Sequence, residues 1–306
     1  MAKKIIRKGW TLNQPLIPKN LKAIYPNPKQ EVFGTPAVIF RDHRWTLPVI
    51  FCAREAGLLS VPVQLVTFDR HRDALTPESV IEQLADFRRS RGSVDELIEI
   101  VRDSLSPRDD DWIVAGMELG LIADVVQFKS DFVDEGEDEP FREHRDAEGA
   151  THRLYSLGRP VCELIYHGAL VNDTHRAAKN GLWKTMGWNP YKPDRVTPGR
   201  DMVCDFDCDF FTVSWDTYTV PFADDMYAGE FLRPCQSLYY DAYTPLIFLQ
   251  ALIRNASVLT MATEPDFCDG AEKSRAIVSS VNRCLLDSTL DEGRILIDYP
   301  PAYPNE

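Results

Sequence analysis

From residue 35 onward the chain alternates short apolar runs with stretches of helical spacing. Residues 37–40 form an apolar run that ends at Arg41-Asp42-His43, and residues 45–58 read as a helix. Residues 61–68 are strongly apolar, predict a buried strand, and end at Asp69-Arg70-His71-Arg72-Asp73. Residues 77–105 carry a helical pattern broken near Gly92, residues 112–121 a second one, and residues 123–128 a strand. Tyr155 and residues 164–166 suggest strand pieces, and residues 202–211 a strand with an acid at every second position. A helix over 243–255, a strand over 257–263 and a helix over 271–286 complete the series. Strands alternating with helices predict an α/β fold in three layers, a mostly parallel sheet flanked by helices. In such sheets binding sites form at the carboxyl ends of strands.

No linker or internal repeat interrupts residues 35–306, which read as one α/β domain. Residues 1–34 are rich in proline and lysine and predict an irregular arm. Residues 129–151 differ in character: Asp134-Glu135-Gly136-Glu137-Asp138-Glu139-Pro140 predicts a solvated acidic loop, a hairpin tip or an insertion. With 44% hydrophobic residues in 306, the chain can bury an ordinary core. Its formal net charge of −13 argues against a nucleic-acid partner or an anionic membrane surface, since either needs a basic face.

The cysteines (Cys52, Cys162, Cys204, Cys208, Cys235, Cys268 and Cys284) are odd in number and include no CxxC pair. They read as reduced thiols of a cytoplasmic protein rather than a disulfide framework or a zinc site. The basic start (Lys3, Lys4, Arg7, Lys8) leads into Gly9, Thr11, Asn13 and Gln14 instead of an apolar run, which is not the pattern of a signal peptide. No apolar stretch of about 18 residues appears, so no membrane span is expected.

The chemistry lies where the predicted strands end. A strand puts positions i, i+2 and i+4 on one face, so Asp69, His71 and Asp73 point the same way. Two carboxylates flanking an imidazole repel each other without a counter-ion, and hard divalent cations such as Mn²⁺ accept both donor types. Read alone, a surface turn balanced by Arg70 and Arg72 also accounts for this segment. In the second segment Asp205, Asp207 and Asp209 share one face of an otherwise apolar strand. Burying bare carboxylates is costly, and metal coordination is the simplest reason to do so. The third segment is Arg41-Asp42-His43-Arg44, again after an apolar run and before a helix.

An Asp-His, then a DxHxD, then a DxD, each closing a predicted strand, resembles the arginase–agmatinase–deacetylase superfamily. Its members carry a Gly-Gly-Asp-His turn, a DAHxD strand end and a DxD strand end. Here Asp42-His43, Asp69 to Asp73 and the Asp205, Asp207 and Asp209 set stand in those places. The 26 residues from His43 to Asp69 leave room for one helix and one strand. Phe40-Arg41 replaces the Gly-Gly, and Phe210-Phe211-Thr212 stands after the DxD where the family has Asp-Pro. Within the superfamily, Asp205-Phe206-Asp207-Cys208-Asp209-Phe210-Phe211 is similar to a branch that includes the peptide arginases, which convert arginine residues of ribosomally made peptides to ornithine.

The resemblance implies an arginase-like fold and two Mn²⁺ ions. Asp69 and one DxD aspartate would bridge the ions; His43 and Asp73 would complete one, and His71 with the other aspartate the second. Asp207 with Asp209 is the favoured DxD pair, and Asp205 with Asp207 the other register. Glu264, near the end of a late strand, would meet the substrate guanidinium, and His167 or His175 would move protons. His144 and His152, which flank the acidic loop, are weaker candidates for that role. The implied partner is an arginine-containing precursor peptide. A small-molecule ureohydrolase, a single-zinc deacetylase and a non-catalytic binding protein are the rival readings; no His-His pair supports the deacetylase.

Overall fold

The strand Val63–Asp69 (β3) is buried along its whole length and sits near the centre of an eight-stranded sheet. The structure is a computed structural model and describes residues 31–129, 141–157, 188–189, 192–215, 218–232, 235–237 and 240–290. The sheet consists of Glu31–Val32 (β1), Thr35–Phe40 (β2), β3, Ile122–Lys129 (β4), Phe141–Arg145 (β5), Thr151–Leu157 (β6), Met202–Asp207 (β7) and Val258–Ala262 (β8). Their order is β1-β2-β8-β7-β3-β4-β6-β5. Every pairing from β2 to β6 is parallel, and only the edge pairs β1–β2 and β5–β6 are antiparallel. This is the mostly parallel α/β sheet the alternation predicts.

The helices are Thr46–Glu55 (α1), Ile81–Ser90 (α2), Val94–Asp103 (α3), Trp112–Glu118 (α4), Pro245–Asn255 (α5) and Ala271–Leu285 (α6). Period-2 alternation divides the sheet's side chains between two cores. Leu65, Val125 and Val203 pack with Leu47 and Ile50 of α1, Leu84, Leu97 and Trp112 on one face. Val66, Phe68, Cys204 and Phe206 pack with Phe248, Leu249, Ile277 and Val278 of α5 and α6 on the other. Phe68 stacks on Phe128 at 4.7 Å and meets Phe206 edge-on at 5.2 Å. Burying a side chain of this size contributes about 1.5–3 kcal/mol, so the strands that carry the site rest on a strongly apolar floor.

The break near Gly92 has a steric cause. Arg91 closes α2 in the left-handed region at φ 55°, and a Cβ on Gly92 would come within 2.3 Å of the Phe87 ring. A reciprocal capping box between Ser93 and Glu96 then starts α3.

Three expectations are adjusted. The strand expected over 202–211 stops at Asp207: the Asp207 carboxylate accepts the Asp209 N–H at 3.0 Å and caps a 3₁₀ turn, Cys208–Phe211. The end of the expected arm is ordered, since β1 pairs back on β2 through Phe33 and Gly34. Residues 141–157 form the β5–β6 hairpin, whereas the acidic stretch 134–140 and the strand expected at 164–166 lie outside the described residues. Cys52, Cys204, Cys208 and Cys268 are buried free thiols. Among the described residues no helix is long and apolar enough to cross a membrane.

Candidate metal centre

Four adjacent parallel strands, β2, β8, β7 and β3, end at one edge of the sheet and deliver the chemistry there. His43 opens the turn after β2 and is fully buried. Its Nδ1 lies 3.0 Å from Asp73 Oδ2, 3.3 Å from Asp207 Oδ2 and 3.6 Å from Asp69 Oδ2. One potential ligand atom from each of His43, Asp69, Asp73 and Asp207 falls within a mutual 4.8 Å, and so does one from each of Asp69, His71 and Asp209. Asp69 belongs to both groups. Six of the seven residues predicted as ligands are therefore brought together.

Asp205 is the seventh, and it stands one layer back. Its Oδ2 lies 2.6 Å from Nε2 of His43, on the far side of the ring from Asp73. Thr67 Oγ1 donates to it at 2.8 Å, Thr46 Oγ1 at 3.4 Å, and Thr260 Oγ1 adds a short bond. Register explains the cradle, for Asp205 faces Thr67 on β3 and Thr260 on β8. Threonines in otherwise apolar strands were the sequence signal for it, and they stood too far apart along the chain to be joined.

Other supports also escaped the sequence reading. Trp112 Nε1 donates to Asp73 Oδ2 at 2.8 Å, and the Trp112 ring lies against His43 with centroids 4.6 Å apart. Asp73 itself has φ 49°, a left-handed backbone held by the Ile113 N–H, which donates to its carbonyl at 3.1 Å. Gln127 on β4 donates to Asp69 Oδ2 at 3.3 Å and to the carbonyl of His71. The His71 N–H donates to Asp69 Oδ1 at 2.7 Å, and the Arg70 N–H to Asp209 Oδ1 at 3.2 Å. These bonds fix the positions of Asp69, Asp73 and Asp209.

The electrostatics call for a cation. Burial first, and then the neighbouring Asp73 and Asp207, push the Asp69 carboxyl well above its usual range. Burial and Asp209 push Asp207 up to about 8. Burial would lower both histidines, but the carboxylates around them outweigh it: His43 rises well above its ordinary value, chiefly through Asp205, and His71 rises to about 9, chiefly through Asp209. A divalent ion would replace these protons and remove the repulsion. Asp209 Oδ2 passes a direct test of fit: it is buried, accepts no hydrogen bond and lies 2.7 Å from His71 Nδ1. The donors are carboxylate oxygen and imidazole nitrogen with no thiolate among them, a set suited to Mn²⁺ or similar ions. His71, with 42% of its side chain exposed, marks the open side of the centre.

Glu264 lies beside the first group. It is buried, and its Oε1 accepts the His43 N–H at 2.7 Å. His167 and His175 lie outside the described residues. His144 and His152 sit on the β5–β6 hairpin, where they meet Glu118 at 2.7 Å and Asp146 at 3.2 Å in a separate network. The chain matches no family model and no curated protein.

Proposed function

We propose that this protein is a metal-dependent hydrolase that converts arginine residues of a ribosomally made peptide to ornithine with release of urea. The observation that carries the reading is the sharing of Asp69 between two overlapping ligand groups, His43/Asp69/Asp73/Asp207 and Asp69/His71/Asp209. The resemblance of the Asp-His, DxHxD and DxD strand ends to arginases supports the same conclusion. Two Mn²⁺ ions held by His43, Asp69, His71, Asp73, Asp207 and Asp209 would supply an activated water and charge stabilisation for hydrolysis.

The chain's own groups have distinct tasks in this scheme. Asp205 accepts a hydrogen bond from His43 Nε2–H and so holds the ring with Nδ1 on the side of Asp73 and Asp207. Trp112 and Gln127 orient Asp73 and Asp69. Glu264 accepts N–H groups of the substrate guanidinium, a planar cation whose fork of donors matches a carboxylate. A net charge of −13 favours a cationic substrate. The segment after Asp73, Ala74-Leu75-Thr76-Pro77, offers no charged side chain to grip a free α-amino or α-carboxylate group, and Leu75 is exposed. This favours an arginine within a peptide over the free amino acid.

Mass spectrometry of arginine-containing peptides and of free arginine after incubation with Mn²⁺-loaded protein tests the reading. A loss of roughly 42 Da per converted arginine is expected, since hydrolysis replaces the guanidino group by an amine and sets free urea. Turnover of free arginine alone would assign a small-molecule ureohydrolase instead. Loss of an acyl group with one Zn²⁺ bound would assign a deacetylase.

A further inference from the structure

Asp109 is absent from every motif that the sequence displays, yet it reaches the metal centre. It lies in the loop between α3 and α4, with a left-handed backbone at φ 57° and a side chain that is almost fully buried. Its Oδ2 accepts the same His43 N–H that Glu264 Oε1 accepts, at 3.1 Å against 2.7 Å. Glu264 shares the left-handed conformation at φ 40°. On the other side of Asp109, Arg44 Nε stands 3.1 Å from Oδ1. The Arg44 guanidinium is itself buried and is tied by NH1 to the carbonyls of Leu105 at 3.4 Å and Ser106 at 3.3 Å. A continuous chain of contacts thus runs from the α3–α4 loop through Arg44 and Asp109 to the His43 N–H and Glu264.

Stability does not account for this arrangement. Two buried carboxyl groups converging on one N–H raise each other's energy, and both stand on backbone conformations that cost a non-glycine residue about 1 kcal/mol or more. An apolar side chain at position 109 would fill the same space without repulsion. After burial, the charges of Asp207 and Asp109 weigh most on Glu264, and Asp109 also hydrogen-bonds to it. Sharing the His43 N–H with Asp109 limits where the Glu264 carboxylate can sit.

We infer that Asp109, anchored by Arg44, is a positioning residue that fixes the carboxylate of Glu264 beside the metal centre and so sets how tightly a guanidinium is held. The inference rests on the ureohydrolase reading of the site. The test is a double-mutant cycle on Mn²⁺-loaded protein, with Asp109→Ala, Glu264→Gln and the pair, each assayed for kcat, KM and bound Mn²⁺. Asp109→Ala should raise KM for an arginine peptide on the order of 10-fold or more, because misplacing a binding group by about 1 Å is costly, while the Mn²⁺ content stays at the wild-type value. In the Glu264→Gln background the same change should add almost nothing, since a residue acting through Glu264 has nothing left to act on. Asp109→Asn, which keeps the shape and can donate to Glu264, should recover most of the loss and guards against a folding defect in the alanine variant. Additive effects, an unchanged KM, a fall in Mn²⁺ content or no recovery with asparagine would each overturn the inference. If the wild-type protein turns over no guanidine substrate, the functional reading fails and the inference with it; an active wild type with an additive cycle removes the inference alone.

Discussion

Asp205 Oδ2 and Nε2 of His43 lie 2.6 Å apart, and both groups are fully buried. Nδ1, the other ring nitrogen, faces Asp73, Asp207 and Asp69, and in the metal-bound form proposed here it would be the ligand atom. The three threonine hydroxyls around Asp205 donate to it where water cannot.

Asp205→Asn should therefore weaken metal binding without removing a ligand. The expected loss is about 10–100-fold in Mn²⁺ affinity, as for other carboxylates that orient a ligating histidine, with wild-type stoichiometry restored at saturating Mn²⁺. Isothermal titration of the variant checks this. A permanent loss of one ion would instead make Asp205 a ligand and shift the DxD pair to Asp205 and Asp207.

Asp209→Asn and Asp207→Asn should behave differently from Asp205→Asn. Each removes an oxygen from a ligand group, so each should abolish peptide-arginine turnover at every Mn²⁺ concentration tried. Activity of Asp209→Asn that returns on adding Mn²⁺ would contradict the assignment of the second group.

The sign of the pH dependence follows from the raised pKa values. His71 titrates near 9 in the metal-free fold against an ordinary value of 6.5, so its stabilising contribution is complete below about 6.5 and is lost as pH rises through 9. Asp207, raised to about 8 from 3.8, is penalised once ionised, so its cost grows as pH rises between those values. The metal-free protein should accordingly melt at a lower temperature at pH 9 than at pH 6.5. Mn²⁺ needs the deprotonated ligands, so its affinity should rise over the same interval by up to about tenfold per pH unit for each proton released. Melting curves at both pH values, with and without Mn²⁺, check the two directions together. A metal-free protein more stable at pH 9 would count against the proton-laden cluster.

Trp112→Phe keeps most of the buried ring but removes the donor to Asp73 Oδ2. The lost bond to a charged acceptor should cost about 1.5–3 kcal/mol in the metal-free fold, and chemical denaturation measures it. A change below about 0.5 kcal/mol, the range of an ordinary surface substitution, would show that the Trp112 bond does not hold Asp73 in place.

Much of this arrangement was legible in the sequence because it is local. Val63–Asp69 and Val258–Ala262 announce themselves as buried strands through mostly apolar runs, and the acidic strand ends follow them closely. The family resemblance put His43 with Asp73 and His71 with one aspartate of the DxD, and in the structure His43 meets Asp73 and His71 meets Asp209. What escaped depends on register and on loop paths. Thr67, Asp205 and Thr260 meet only because three strands align at that level. Asp207 ends its strand because its own side chain caps the next turn, so Asp209 leaves the shared strand face that a period-2 reading assigns to it. Asp109 stood in a run of three aspartates that looks like a solvated loop, and only the fold turns its side chain inward.

The measurement that tests the account most directly is the metal stoichiometry of the purified protein and of Asp69→Asn. Asp69 is the one residue common to both ligand groups, so the account predicts two Mn²⁺ per wild-type chain and loss of most bound metal in the variant. A wild-type chain that binds no divalent ion, or an Asp69→Asn variant that keeps both, would contradict it.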